Sequence, residues 1–271
     1  MGKYLIADLV WEINFPKGFN VDKFVYFEEK QNLEALHTIN FLFVNQIEAL
    51  KETNHEEIGL KMYCHDGIKS FDIKDEKKVI IRGEYADNKT TFKIIENYEG
   101  IQTIIEMLTF MRVSEVSAKL GVITVLAAAV SMKEEAIIVN GRNAGLFVEK
   151  WLKEIDESKL ISSGKLFVKI DNNIVKLYNN PWCFEETVKE RITLPVKAIL
   201  FAYKSNENSF IEETDNQKLI ELAVHLGIMT DNLSNEELFQ FCLEVVDKVN
   251  ILRYSGNVIN INEIFNKIYF S

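Results

Sequence analysis

"IIVNGRNAGLFVEKW", residues 137–151, runs an apolar strand into a glycine-punctuated turn and then into a helical stretch ending at Trp151. That order of strand, turn and helix is the setting in which α/β proteins hold phosphate, because the first N–H groups of a helix have no partner of their own and carry partial positive charge. A working loop of the Gly-x-x-x-x-Gly-Lys-[Ser/Thr] type adds a lysine for the outer phosphates and a hydroxyl for the metal. Gly141 and the setting are in place here; the lysine and the hydroxyl are not.

Around this stretch, the chain after residue 120 alternates strands and helices. "VITVLAAAVSM" and "EAIIVNG" read as buried strands and "AGLFVEKWLKEI" as a helix. "LISS", "KLFVKID" and "IVKLYNN" follow as short strands, the last two joined by a turn at Asp171-Asn172-Asn173. "LPVKAILFAY" is another buried strand, and "NQKLIELAVHLGI" and "NEELFQFCLEVVDKV" are amphipathic helices, the second opened by a Ser234/Glu237 capping box.

Before residue 100 the pattern is different. Short runs rich in Val, Ile, Phe and Tyr recur between turn residues: "KYLIADLVWEINF", "VDKFVYF", "HTINFLFV", "IGLKMYCHDGIKSFDI" and "KKVIIRGEYADNKTTFKII". His65-Asp66-Gly67 marks a hairpin turn. Residues 31–53 fit a helix by periodicity as well as strands, and both readings stand. "EGIQTIIEMLTFMRVSEVSAKL" has helical spacing and joins the halves. The expected organisation is a β-rich segment over 1–100 and an α/β (α+β) domain over 101–271.

Bulk properties exclude several function classes. With 47% hydrophobic and 27% charged residues the chain has the composition of a soluble globular protein. A net charge of -10 repels a polyphosphate backbone, so nucleic acid is not the expected partner. No window reaches the length of a membrane helix, and Asp8 and Glu12 interrupt the N-terminal apolar stretch, which reads as no signal peptide. Gly2 lacks the Ser or Thr of a myristoylation motif, since Ile6 stands there. Cys64, Cys183 and Cys242 have no paired spacing and read as free thiols in a reducing cytoplasm.

From about residue 120 onward the chain resembles the HPr kinase catalytic domain, within the group sharing the phosphoenolpyruvate-carboxykinase-like, P-loop-type fold. The resemblance rests on "VLAAAV" (125–130), "AIIVNG" (136–141), "LISSGKLFVKIDNNIVKLYNNPW" (160–182), "ITLPVKAILF" (192–201) and "VNILRYSGNV" (249–258), in the family's order. It implies a phosphotransferase site, and position by position that site is degenerate. The family's strand histidine falls on Leu126 and the serine two places on falls on Ala128. With Gly141 as first glycine, the second glycine, lysine and hydroxyl fall on Leu146, Phe147 and Val148. With Gly145 as second glycine, the lysine and hydroxyl fall on Leu146 and Phe147. The Mg²⁺-holding acidic pair falls on Ser163 and Gly164, after Ser162, and Phe184-Glu185 stand where a glycine and a basic residue often follow the Pro-Trp element.

Phosphoryl transfer depends on positioning and on charge neutralisation by lysine and metal. The resemblance therefore implies a catalytically inactive, pseudokinase-like domain with no catalytic residue, no metal and no cofactor. Vestigial nucleotide-binding positions are Gly141, Arg142, Asn143, Gly145 and Lys150. The expected role is binding of a protein or peptide, as a regulatory partner of an active homologue or of a peptide-modifying enzyme, with self-association as a homo-oligomer. The alternative is an ATP-dependent phosphotransferase with a rearranged Mg-ATP site, held by the helix N-terminus with Arg142 and Lys150. Both are read more simply as solvated charges. His37 and His225 read as packed or hydrogen-bonded, Trp151 and Trp182 as core anchors, and Ser162-Ser163-Gly164 as a small-residue turn. His55 and His65 around Cys64 have poor zinc spacing, Cys183 has no histidine near it in sequence, and Glu185-Glu186 and Glu212-Glu213 read as solvated charge.

Overall fold

The computed structural model describes residues 2–48, 56–57, 60–65, 68–75, 78–96, 98–182, 190–226, 228 and 233–270. The chain forms two compact units, 1–110 and 111–271. It is strand-rich α+β, with mixed sheets. Among the described residues no helix is long and apolar enough to cross a membrane.

The first unit is built on an eight-stranded sheet. Its strands are β1 (Gly2–Ile6), β2 (Leu9–Asn14), β3 (His37–Val44), β4 (Glu56–Glu57), β5 (Leu60–His65), β6 (Ile68–Asp75), β7 (Lys78–Ala86) and β8 (Lys89–Ile95). They lie in the order β1-β2-β3-β8-β7-β6-β5-β4. Burial alternates with period two: Thr90, Phe92 and Ile94 of β8 are buried, as are His37, Ile39 and Phe41 of β3, so the two neighbours share an inward face. His37 is buried and bonded to Thr90, 2.9 Å from its hydroxyl, as expected of a packed histidine. Gly83 leaves room for the Phe71 ring, which a Cβ there would meet at 2.2 Å. The hairpin β5–β6 pairs His65 with Ile68; its tip, Asp66-Gly67, lies outside the described residues.

Two readings in this half change. "KYLIADLVWEINF" folds back on itself at Ala7 and Asp8, both at positive φ (51° and 60°), making the two-residue turn of a tight hairpin. "VDKFVYF" is not a strand: Phe24 N–H donates to Val21 C=O and Phe27 N–H to Phe24 C=O, a 3-10 turn over Val25–Phe27. Phe24 and Phe27 are buried while Val25 and Tyr26 face out, a spacing of three rather than two. The 31–53 ambiguity resolves over 37–44 as strand β3.

Helix α1 (Ile101–Ala118) contains the division between the units. The second unit follows with β9 (Val122–Leu126), β10 (Ala128–Met132), β11 (Glu135–Asn140), α2 (Ala144–Glu154), β12 (Lys159–Ser162), β13 (Lys165–Asp171), β14 (Ile174–Tyr178), β15 (Thr193–Tyr203) and β16 (Ser209–Ile211). It closes with α3 (Asp215–His225), α4 (Asn235–Lys248), β17 (Asn250–Ser255) and α5 (Ile261–Tyr269). β15 is the hub. Residues 193–195 pair antiparallel with β14, while the rest is flanked by parallel β11 and β17. Such a strand is covered on both faces and reads as a continuous apolar run, which "AILFA" is. One face packs Ile199, Phe201, Leu222, Cys242 and Val245 under α3 and α4; the other packs Leu200, Phe147, Trp151, Ile264 and Ile268 under α2 and α5.

"VITVLAAAVSM", expected as one strand, is two. β9 pairs with β13, and after Ala127 the chain changes neighbours, β10 pairing with β11 and β12. The capping box at Ser234 and Glu237 forms as expected, and Thr214 with Gln217 forms a second one before α3.

Candidate functional site

Gly141 leaves β11 at φ +104°, and a Cβ there would stand 2.4 Å from the Ala202 carbonyl oxygen. Only glycine fits that crossing over β15. Residues 141–143 suffice to reach α2; Arg142 is exposed, and Asn143 turns its polar groups to the fold. Asn143 N–H donates to Ala202 C=O (3.1 Å), and its side-chain amide donates to Tyr203 C=O (3.2 Å) and Gly256 C=O (2.6 Å). Ala144 N–H returns to Gly141 C=O (3.1 Å). A phosphate nest needs successive N–H groups converging on empty space. Here Asn143 staples the ends of β11, β15 and β17 together instead.

Of the positions at which the resemblance places the lysine and hydroxyl, two are committed to the core and one is not. Phe147 is fully buried against Trp151, ring centroids 5.4 Å apart, and Val148 is buried beside them; Leu146 is exposed. Trp151 is a core anchor, as is Trp182. Lys150, expected either to face an anion or to be solvated, donates to Ile259 C=O at 3.2 Å and secures the loop before α5.

Leu126, Ala128, Gly141, Gly145, Ser163 and Gly164 nevertheless meet around one cleft of about 660 Å³. Val139, Val148, Leu152 and Leu160 complete mostly apolar walls, and the charged side chains on it are Glu149 and Lys165. Glu149 is held below the usual carboxylate range by its bond to Lys153. Ser162 is a turn residue: its hydroxyl donates to Lys165 C=O (3.0 Å) and accepts from Gly164 N–H (3.2 Å). Asn180, just before the Pro-Trp element, donates to the same Lys165 carbonyl at 2.8 Å and accepts from Trp182 N–H at 3.0 Å, fastening that element to the cleft wall. Cys183, Phe184, Glu185, Glu186 and His55 lie outside the described residues. Among the described residues no group of three His, Cys, Asp or Glu is placed to hold a metal ion.

A second hollow of about 560 Å³ opens beyond the carboxyl ends of parallel β11 and β15, where sheets of this kind offer ligand sites. Arg142, Tyr203 and His225 line it with Asn140 and Gly141. Behind it lies a charged cluster that sequence reading missed. Arg253 donates to Glu213 (3.0 Å) and Glu221 (2.8 Å), and Tyr203 OH donates to the other oxygen of Glu221 (2.7 Å). The Arg253 guanidinium also lies over the Tyr203 ring, 4.8 Å from its centroid. Burial, and then the Glu221 carboxylate, push the Tyr203 phenol well above its ordinary pKa. His225 is half-exposed at the rim, 4.0 Å from Glu221. Glu213, expected to be solvated, has only 4% of its side chain exposed because it pairs with Arg253. Nothing local announces this pair, forty residues apart in sequence. Cys242, by contrast, is an ordinary core thiol, pushed up to about 11 by burial, and no nucleophile.

No family model matches the chain, and no curated protein matches it significantly.

Proposed function

We propose that this chain is a catalytically inactive, HPr kinase-like protein that acts by binding a protein or peptide in the cytoplasm, as the regulatory partner of an active homologue or of a peptide-modifying enzyme. One observation carries the reading. The positions at which the resemblance places a kinase's histidine, serine, loop glycines and acidic pair converge on a single cleft, and that cleft is walled by Leu126, Ala128, Ser163, Gly164 and aliphatic side chains. Among the described residues of the cleft a transferring phosphoryl group would find no paired carboxylates for Mg²⁺ and no lysine from the helix, with Lys165 as the cation on the wall. Mostly apolar walls suit apolar groups of a partner better than a triphosphate, whose charge would be desolvated against them. The test is calorimetry and thermal melting with ATP, GTP and ADP, with and without Mg²⁺. A ligand at one hundred times its dissociation constant adds about 2.7 kcal/mol of stability. The reading expects no shift; micromolar Mg-ATP binding overturns it.

A second reading, a rearranged Mg-ATP site, is favoured by Arg142 alone. Its place in the hollow with His225, beyond the parallel strand ends, is where an anion would be held. That reading expects saturable Mg-ATP binding that Arg142→Ala abolishes and Lys150→Ala leaves intact.

A further inference from the structure

Helix α4 presents two adjacent rows to solvent. Phe239 and Leu243, one turn apart, are both exposed; beside them run Glu236, Gln240 and Glu244 at the same spacing. The second row walls a groove of about 520 Å³ whose floor is Ala118, Ile123, Ile170, Leu233 and Phe241. This groove is separate from the cleft. It lies at the Gly121 and Ile170 end of the β9–β13 pair, whereas the cleft lies at the Leu126 and Lys165 end, about 13 Å along the strands. β9 lies at one end of the strand order, bridged at Val125 to Ile228, and the groove lies at its Val122 end.

Charge on the groove is one-sided. Glu236, Glu237 and Glu244 face it, against Lys119. Glu237 is held ionised by its capping bonds to Ser234, and Glu244 accepts from Gln240 at 3.1 Å. The net charge of -10 adds a field of the same sign around it. An apolar floor under an acidic wall is complementary to a segment that carries aliphatic or aromatic side chains on one face and Lys or Arg on the next. A second copy of this chain fits poorly, since a two-fold contact through the same face sets Glu236 and Glu244 against like charges.

We propose that this groove binds a basic amphipathic peptide segment of a partner protein, with Leu or Phe side chains on the floor and Lys or Arg against Glu236 and Glu244. Phe239 and Leu243 extend the apolar contact along the outer face of α4. The proposal stands whether or not the cleft takes nucleotide, so nucleotide titration and peptide titration fail independently.

The experiment titrates the full chain into a fluorescein-labelled amphipathic leucine/lysine peptide of about 14 residues, long enough for four helical turns, and reads anisotropy. The matched leucine/glutamate peptide is the control. The lysine peptide is expected to bind in the micromolar range and the glutamate peptide not to bind. Glu236→Lys with Glu244→Lys weakens binding about tenfold or more, the effect of losing close charge pairs. Gln240→Trp, which fills the groove without changing its charge, does the same, while Glu154→Lys with Asp156→Lys near the end of α2 leaves affinity unchanged. Circular dichroism melts confirm that each variant is folded. Three results overturn the proposal: no binding of the lysine peptide, equal weakening by the α2 reversal, or a dimer in sedimentation equilibrium that Gln240→Trp dissolves, which makes a second copy the occupant.

Discussion

The cleft between Leu126 and Gly141, lined from β9 to β13, and the cluster around Arg253, on β15, β17 and α3, belong to one sheet and have opposite chemistry. Around the cleft, the positions that the resemblance assigns to catalysis hold aliphatic side chains, small residues or a core phenylalanine. A few residues away, two nearly buried carboxylates, a guanidinium and a phenol are bonded into one network that ties α3 and the segment before it to β15 and β17. The second unit therefore does not avoid buried charge. It keeps charge where it fastens elements and has little where a phosphoryl group would need it. In the loop after β11 the amide donors of Asn143 hold strand ends together, which is the scaffold role that the proposed reading gives this loop.

The contrast is open to direct test. Arg253→Ala should have the largest effect, about 3 kcal/mol of lost stability in urea titration, because it leaves Glu213 and Glu221 buried without a counter-charge. A loss below about 1 kcal/mol, the worth of an exposed pair, would make the cluster ornamental. Gly141→Ala should cost about 2 kcal/mol through its positive φ and the approach to Ala202; a neutral result would mean that the crossing over β15 is not fixed. The Tyr203 phenol titrates above its unfolded value of 10 in the folded protein. Its contribution to stability is therefore complete below pH 10 and is lost as pH rises toward the folded value. The urea midpoint should fall above pH 10, with a shallower slope in Tyr203→Phe. Leu126→Lys should have the smallest effect, within about 0.5 kcal/mol, because Leu126 is exposed; a large loss would show the cleft wall to be core.

Local pattern carried most of the strands and helices, because buried runs and helical spacing are properties of adjacent residues. Capping at Ser234 and the Asn172–Asn173 turn, both residues at positive φ, were legible for the same reason. Errors arose where partner choice is not local. The run through Ala127 is uniformly apolar, and only its exchange of β13 for β11 as neighbour divides it. Phe24–Phe27 has strand composition, yet its buried members, Phe24 and Phe27, are spaced three apart. Helix α5, not among the expected elements, is legible in the spacing of Ile261, Ile264 and Ile268. At the site, the positions that the resemblance assigns to catalysis are readable one by one, whereas the bond of Lys150 to Ile259 and the burial of Glu213 by Arg253 depend on chain that returns from far away.

The central claim, that the strand-turn-helix is kept as scaffold and no longer holds phosphate, is tested most directly by a ¹H–¹⁵N correlation titration with Mg-ATP, following the amides of Gly141, Arg142, Asn143, Gly145 and Leu146. The account predicts no saturable shift up to about 5 mM, a concentration that would reveal even a millimolar dissociation constant. Saturating shifts confined to those amides, with the Gly256 amide unmoved, would contradict it and return the loop to nucleotide binding.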